Sequence, residues 1–578
     1  MPSEPAMRYF ALATDYDGTL ATDGRVDAAT MDALRRLKSS GRRVVLVTGR
    51  RLDDLQHVFP EHAIFDRIVA ENGAVLYDPT DKSVRDLEDP PPPELARALR
   101  ARGVPLDVGH VILATWQPHE GVVLDTIREM GLELHLEFNK GAVMVMPAGV
   151  TKRTGLDAAL LDLQLSSHNV VGVGDAENDH AFLTACECGV AVQNALPSLK
   201  DRADWITDES RGKGVMQLID RLLEDDLSTL QGPRERHALF VGRGPDGGPV
   251  HIDPHRATVL VAGPSGSGKS TLATALVERV QDAGYQLCVV DPEGDHEKLE
   301  PLAQIGDIER APRADEVEAL LRDPRRSAVV SLLAVPLEER PRWFGVLRSR
   351  VHELRMQTGR PHWLVVDEAH HVMPAKSDAP LPQLPKNSAG MLLVTVNPES
   401  LARATLDGVT LLITTMQGAG ATLRAFAVAS GREAPSIPKR TSDSSDGTSF
   451  AVVWRVDERD AMLVEVLPPR HEHQRHKRKY ATGDLGEDRS FVFRGPKGEL
   501  HLRAQNLALF AQMAVGVDEG TWLHHLRAGD YSSWFREAIK DPPLAEEAAH
   551  IEKADTSSAD ESRDRILAAI RKRYTLPA

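Results

Sequence analysis

A multidomain α/β fold is predicted by three observations. Two phosphate-chemistry signatures lie roughly 250 residues apart, and short apolar strands alternate with amphipathic helices around each of them. The composition then changes beyond residue 470 to a basic, histidine-rich run. At about 150 residues per domain, 578 residues suit three or four domains. Apolar residues make up 42% and charged residues 27%, which excludes fibrous, collagen-like and wholly disordered chains. No apolar run approaches the roughly 18 residues that cross a bilayer, and the first residues lack the apolar core of a secretion signal. A cytoplasmic location with no membrane partner is expected. The three cysteines, Cys186, Cys188 and Cys288, are too few for a disulfide framework and too closely spaced at 186 and 188 for a zinc pair, so they are read as buried thiols. With 69 basic and 85 acidic residues the net charge is −16, which disfavours nucleic acid as a partner without excluding it.

Taken in order, residues 9–14, 43–48 and 170–173 read as strands of a parallel sheet buried on both faces. Asp27 caps a helix carrying Met31, Leu34 and Leu37, and Gly41 ends it after a basic last turn. The proline run at 88–93 is an extended spacer, and 94–146 reads as helices and alternating strands. These features divide the first block into a Rossmann-like core, 1–80 and 149–222, and an inserted α+β cap, 81–148. A hairpin over 237–254 turns at Gly-Pro-Asp-Gly-Gly. It opens a second α/β domain, 236–468, with strands at 258–262, 286–290, 328–333, 363–366 and 391–396, a loop over 436–447 and further strands within 449–467. A small α+β C-terminal domain, 469–545, is expected to hold a hairpin and helices packed around Trp522 and Trp534. Residues 546–578 read as a helical or loose tail.

The first signature, Asp15-Tyr16-Asp17-Gly18-Thr19-Leu20, follows directly on an apolar strand. Two carboxylates therefore emerge where α/β sheets place ligands, and Gly18 permits the turn that lets them converge. In order along the chain come Thr48-Gly49-Arg50 after a strand, Glu71-Asn72-Gly73-Ala74, Lys152 in Met-Pro-Ala-Gly-Val-Thr-Lys, and Gly174-Asp175-Ala176-Glu177-Asn178-Asp179. Together they resemble the four motifs of the haloacid dehalogenase superfamily, most closely its Cof-type, sugar-phosphatase-like branch, over residues 7 to about 222.

That resemblance implies Asp15 as a nucleophile forming an aspartyl-phosphate and Asp17 as general acid and then base. Thr48, Lys152, Gly49 and Asn178 would hold the transferring phosphoryl group. Mg²⁺ would sit among Asp15, the Asp17 carbonyl, Asp175 and Asp179. An acidic residue at 17, where the superfamily's ion pumps carry Thr, favours hydrolysis of a small phosphorylated metabolite, a sugar phosphate by analogy. The cap would then select the substrate, with Trp116, His119, Glu120 and Lys140 as undistinguished candidates.

The second signature, Gly263-Pro-Ser-Gly266-Ser-Gly268-Lys269-Ser270-Thr271, is a P-loop between a strand and an amphipathic helix. Its glycines turn backbone N–H groups inward, Lys269 reaches the β- and γ-phosphates of ATP, and Ser270 gives an oxygen to Mg²⁺. Asp367 ends a strand, where it can hold Mg²⁺, and Glu368 can polarise a water. With Asp291 after the second strand and Asn397 in the place of a polar sensor, the domain resembles the HerA and FtsK class of ATPases, which implies a route to oligomers. No arginine finger is assignable.

The histidines and basic residues over 470–480 suit either a solvated linker or an anion-binding strip. The leading reading is a phosphatase with a fused ATPase. The competing one makes the ATPase primary, as a nucleic-acid-associated motor or end-processing protein with an accessory phosphatase.

Overall fold

The computed structural model describes residues 7–139, 141–230, 237–294, 296, 299, 301–375, 389–437, 449–470, 480, 485, 489–498, 500–539, 541–554 and 558–574. Lys140, the loop at 438–447 and the basic stretch 471–479 lie outside these. The chain divides into two compact units, 1–292 with 299–470, and 293–298 with 471–578. Among the described residues no helix is long and apolar enough to cross a membrane.

The first sheet has eight strands, and Ala11–Thr14 lies at its centre. Arg43–Val47 and Val170–Gly174 pair with that strand in parallel on either side, so all three deliver their carboxyl ends to one edge. Every residue of Ala11–Thr14 is buried, as a strand covered on both faces requires. Helix Ala28–Ser39 starts where expected. The Asp27 carboxylate accepts the Thr30 N–H, and Gly41 follows with φ +89°.

At the far edge, Val75–Asp78 and Ser83–Asp86 form an antiparallel hairpin on the same sheet. The inserted unit thus begins beyond Asp86 and not at 81, because the hairpin register keeps 83–86 on the core. Its own four-stranded sheet, in the order Asp107–Val108, Leu113–Trp116, Ala142–Pro147, Leu134–Asn139, packs beneath helices Pro93–Ala101 and Glu120–Glu129. Leu95, Leu99, Leu113, Val123, Ile127 and Val145 make its separate core.

The second sheet has eleven strands. The P-loop strand Thr258–Ala262 lies between Met391–Thr395 and Leu411–Thr415, and Trp363–Val366 pairs with the far side of Met391–Thr395. The expected hairpin, Leu239–Arg243 with Pro249–Ile252, joins the sheet through Met462–Val466. Leu411–Thr415 was not anticipated. A five-residue apolar run has no period to distinguish it from a piece of buried helix.

The C-terminal unit pairs Phe491–Phe493 with Leu502–Ala504 and wraps helices around them. Residues beyond 546 are not a separate tail. Helices Pro542–Glu552 and Ala559–Arg573 place Ile551, Ile566, Leu567 and Ile570 in the same core as Phe510, Trp522 and Tyr531. The Trp522 indole N–H donates to Ser562 Oγ at 3.0 Å. Abundant Ala, Glu and Asp hide this apolar stripe from a compositional reading, while its i, i+4 spacing carries it.

Two candidate phosphate sites

Three neighbouring strands of the first sheet end in Asp15, Thr48 and Asp175. Residue 152 enters from a fourth direction, at the first turn of helix Lys152–Asp162, where Thr151 caps the Thr154 N–H. The loop can come this close because of Gly73. With φ +108°, a Cβ there would lie 1.9 Å from the Thr151 carbonyl oxygen.

Lys152 Nζ donates to Asp15 Oδ1 and Asp179 Oδ1, each at 2.6 Å, and all three side chains are buried. Asp179 Oδ2 accepts the N–H groups of Asp175 and Ala176, which fixes the turn carrying Asp175. Asp175 Oδ1 accepts the Thr19 hydroxyl at 3.2 Å. Carboxylate oxygens of Asp15, Asp175 and Asp179 lie within 4.8 Å of one another. Burial, and then the Asp179 charge, push the Asp15 carboxyl up to about 7 despite Lys152. Burial alone would lower the Lys152 ammonium, but Asp15 and Asp179 hold it above its ordinary value. Three buried carboxylates against one ammonium leave excess negative charge, and an all-oxygen donor set suits a hard divalent cation.

Asp17 turns away from this cluster. Its carboxylate accepts from Arg50 Nε at 2.6 Å and Nη2 at 2.8 Å, and Arg50 also reaches Asp54. The Thr48 hydroxyl accepts the Arg50 N–H at 3.1 Å. Gly49 faces Asn178 and Asn72, and Asn178 Nδ2 donates to Asn72 Oδ1 at 2.9 Å while its own Oδ1 is buried without a partner. Sequence reasoning noted Asn72 only as part of a motif and gave Arg50 no part in the site. Both sit in quoted motifs, but the pairings that give them roles join elements remote in sequence.

The cap meets the site through strand Ala142–Pro147, which carries none of the four cap candidates named from the sequence. Met146 Sδ is 3.5 Å from Asn72 Nδ2, and a Cβ at Gly49 would lie 4.0 Å from Met144 Sδ. Glu137, on the adjacent strand, is raised by burial and feels Lys152 and Glu177. Trp116 is 59% exposed at a strand end, and His119 and Glu120 open the helix that follows. Strand alternation puts Met144 and Met146 on one face, a signal available in the sequence.

At the second site Gly266 and Gly268 take φ +76° and +98°, and helix Lys269–Asp282 begins directly after them. Gly263 packs against Ser267, where a Cβ would meet its hydroxyl at 3.1 Å. Lys269, Ser270 and Thr271 form the helix's first turn. Lys269 is buried, with Nζ 3.7 Å from Glu368 Oε1. Glu368 has φ +36°, and its N–H is capped by Asp367 Oδ1 at 2.9 Å. Asp291 and Asp367 end neighbouring parallel strands. Asn397 follows Met391–Thr395 and is exposed.

Ser267 Oγ, in the P-loop, and Thr415 Oγ1, beside it, are buried without partners, as expected of groups that meet a phosphate. Thr415 and Gly418, which packs on Pro264, escaped sequence reasoning with the strand that carries them.

The fold and these two centres define a phosphoryl-transfer hydrolase joined to a nucleotide-binding ATPase domain. The chain belongs to the haloacid dehalogenase-like hydrolases, whose family pattern matches residues 12–98 and 132–219, and an AAA ATPase domain pattern matches residues 251–395. It is 30% identical over 225 residues to the phosphoglycolate phosphatase of Methanothermobacter thermautotrophicus, covering 37% of this chain and 98% of that protein. Phosphoglycolate phosphatase 1 of Saccharolobus solfataricus is 29% identical over 233 residues, covering 38% and 97%. A haloacid dehalogenase-like hydrolase structure from Bacteroides thetaiotaomicron aligns at 19% identity with a TM-score of 0.33, covering 37% of this chain and 99% of that one. The chain is thus a phosphoric monoester hydrolase of this family with a P-loop ATPase domain attached.

Proposed function

We propose that the first site hydrolyses a small phosphorylated metabolite with Mg²⁺, through an aspartyl-phosphate on Asp15. The carrying observation is the buried Lys152 that joins Asp15 to Asp179 at the carboxyl end of the central strand. Lys152 holds Asp15 Oδ1 in place, so the carboxylate presents its other oxygen to phosphorus. Asp17 protonates the leaving oxygen and later takes a proton from the attacking water. For this it must leave Arg50, so substrate entry and the Arg50–Asp17 pair are coupled. Thr48, Gly49, Asn178 and Lys152 surround the phosphoryl oxygens with donors. Asp15, Asp175, Asp179 and the Asp17 carbonyl would hold Mg²⁺, which supplies positive charge to the phosphoryl oxygens when bound.

The cap face with Met144, Met146 and Glu137 lies against the phosphoryl site and would select the substrate. The phosphoglycolate phosphatases, similar over nearly their whole length, make a phosphorylated two-carbon acid the first candidate and sugar phosphates the second.

The second site binds and hydrolyses ATP. Gly263, Gly266, Gly268, Lys269, Ser270 and Thr271 cradle the phosphates, Asp367 holds Mg²⁺, Glu368 polarises water and Asn397 reads the γ-phosphate.

Phosphate release should be measured over phosphoglycolate, sugar phosphates and nucleotides, with Mg²⁺ and Lys269→Ala to silence the P-loop. Turnover of a small ester that vanishes on adding Asp15→Asn supports this reading. Turnover that persists in Asp15→Asn overturns it.

A further inference from the structure

Outside both signatures, a buried cluster joins the phosphatase core to the ATPase domain. The core supplies His168, in the turn Ser167–Asn169, and Glu187, which precedes strand Cys188–Ala191. The ATPase domain supplies His237, ahead of Leu239–Arg243, and His255, between two strands of its sheet. His168 and Glu187 are 5% and 1% exposed.

The hydrogen bonds of the two inner histidines decide their tautomers. His168 Nε2 lies 2.8 Å from the Ala283 carbonyl oxygen and His237 Nε2 lies 3.1 Å from the Cys186 carbonyl oxygen. A carbonyl only accepts, so each Nε2 carries the hydrogen. Both Nδ1 atoms face Glu187 Oε2, at 2.8 and 3.9 Å, where each can offer a lone pair to a cation or, without one, a proton to the carboxylate. His255 Nε2 approaches the other oxygen, Oε1, at 3.1 Å. Tyr285 stacks on His168 at 3.8 Å and fixes the ring plane. Arg8 Nη2 pairs with Oε1 at 2.5 Å, while Oε2, the oxygen both Nδ1 atoms meet, also accepts the Tyr285 hydroxyl at 3.3 Å.

A divalent ion seated among the two Nδ1 atoms and the carboxylate would satisfy all three at once, which a single proton shared by His168 and Glu187 does not. One ligand atom each from His168, Glu187 and His237 fall within 4.8 Å of one another. Imidazole nitrogens whose second N–H is held by a backbone carbonyl, with one carboxylate, form the donor set of zinc-class ions and not of Mg²⁺, which prefers oxygen.

We propose that His168 Nδ1, His237 Nδ1 and the Glu187 carboxylate bind a zinc-class divalent ion that staples the phosphatase core to the ATPase domain. The ion is separate from the Mg²⁺ of the Asp15 site and needs ligands from both domains.

The test uses the full chain without a histidine tag. Metal analysis after purification without chelators should find about one zinc-class ion per chain, retained in Asp15→Asn and lost in His168→Gln and His237→Gln. If those variants fold poorly, the unmutated chain is stripped with chelator and titrated with Co²⁺. A saturable visible absorption of four-coordinate Co²⁺, displaced by Zn²⁺, is the expected result. A stripped chain that is still folded by circular dichroism and binds neither ion overturns the proposal, leaving a proton between His168 and Glu187. Zinc that disappears in Asp15→Asn, or that persists in well-folded His168→Gln and His237→Gln, also overturns it.

Discussion

At the Asp15 centre three buried carboxylates face one ammonium, whereas at the P-loop one buried ammonium and a turn of glycine-bearing backbone face open space beside unpartnered hydroxyls. The first centre lacks positive charge and the second is shaped for an anion. Their internal ion pairs differ accordingly. Lys152 is locked at 2.6 Å to two carboxylates, so it can orient a nucleophile without moving. Lys269 stands 3.7 Å from Glu368, a looser contact that a triphosphate can outcompete. One chain therefore solves phosphate chemistry in two ways, by a rigid side-chain cluster and by a backbone cradle.

The contrast is broken most severely at the nucleophile. Asp15→Asn should lower phosphatase kcat by about 10⁴-fold or more while ATP hydrolysis stays at its unmutated rate, as read by phosphate release from each substrate in turn. Removing Mg²⁺ with a chelator should silence both centres, and adding it back should restore both, since each set of carboxylates needs the same hard cation.

Glu368→Gln sharpens the comparison at the other end. ATP affinity by calorimetry should be kept, and hydrolysis should fall about 10²- to 10⁴-fold, as expected for a lost general base. Equal loss in binding would mean that the residue serves the cradle and not the water.

The smallest effect concerns how the cap is aimed. Glu71 is fully buried with φ +51°, and its carboxylate accepts the N–H groups of His110, Val111 and Ile112 at 2.8, 2.9 and 3.1 Å. Glu71→Ala leaves those donors unpaired and should destabilise the phosphatase by about 2–3 kcal/mol, read as a lower unfolding midpoint in denaturant. Phosphatase KM should rise with it, and the P-loop's ATP affinity should not change. Unaltered KM would separate the cap's seating from substrate binding.

Local patterns carried a large part of this organisation. Asp15-x-Asp17 after an apolar strand, the P-loop between strand and helix, and Asp27 before an amphipathic run each depend on neighbours within a few residues, so the residues alone announce them. The extent of the inserted cap and of the C-terminal core was less legible. Ser83–Asp86 is exposed throughout and joins the core sheet only through its register with Val75–Asp78. Residues 559–573 bury their stripe only because aromatic side chains from 491–535 wait for it.

The sequence by itself determined the fold class, the two phosphate signatures and their order, because a strand followed by a glycine-bearing turn is a short-range code. Only the tertiary structure decided which groups meet. The Arg50–Asp17 pair, the clasp of Glu71 on the cap, the approach of Met144 and Met146, and the histidines around Glu187 all join residues 19 to 95 positions apart. Such meetings follow from sheet order and burial, in which a polar group taken out of water must find its partner wherever the chain brings one.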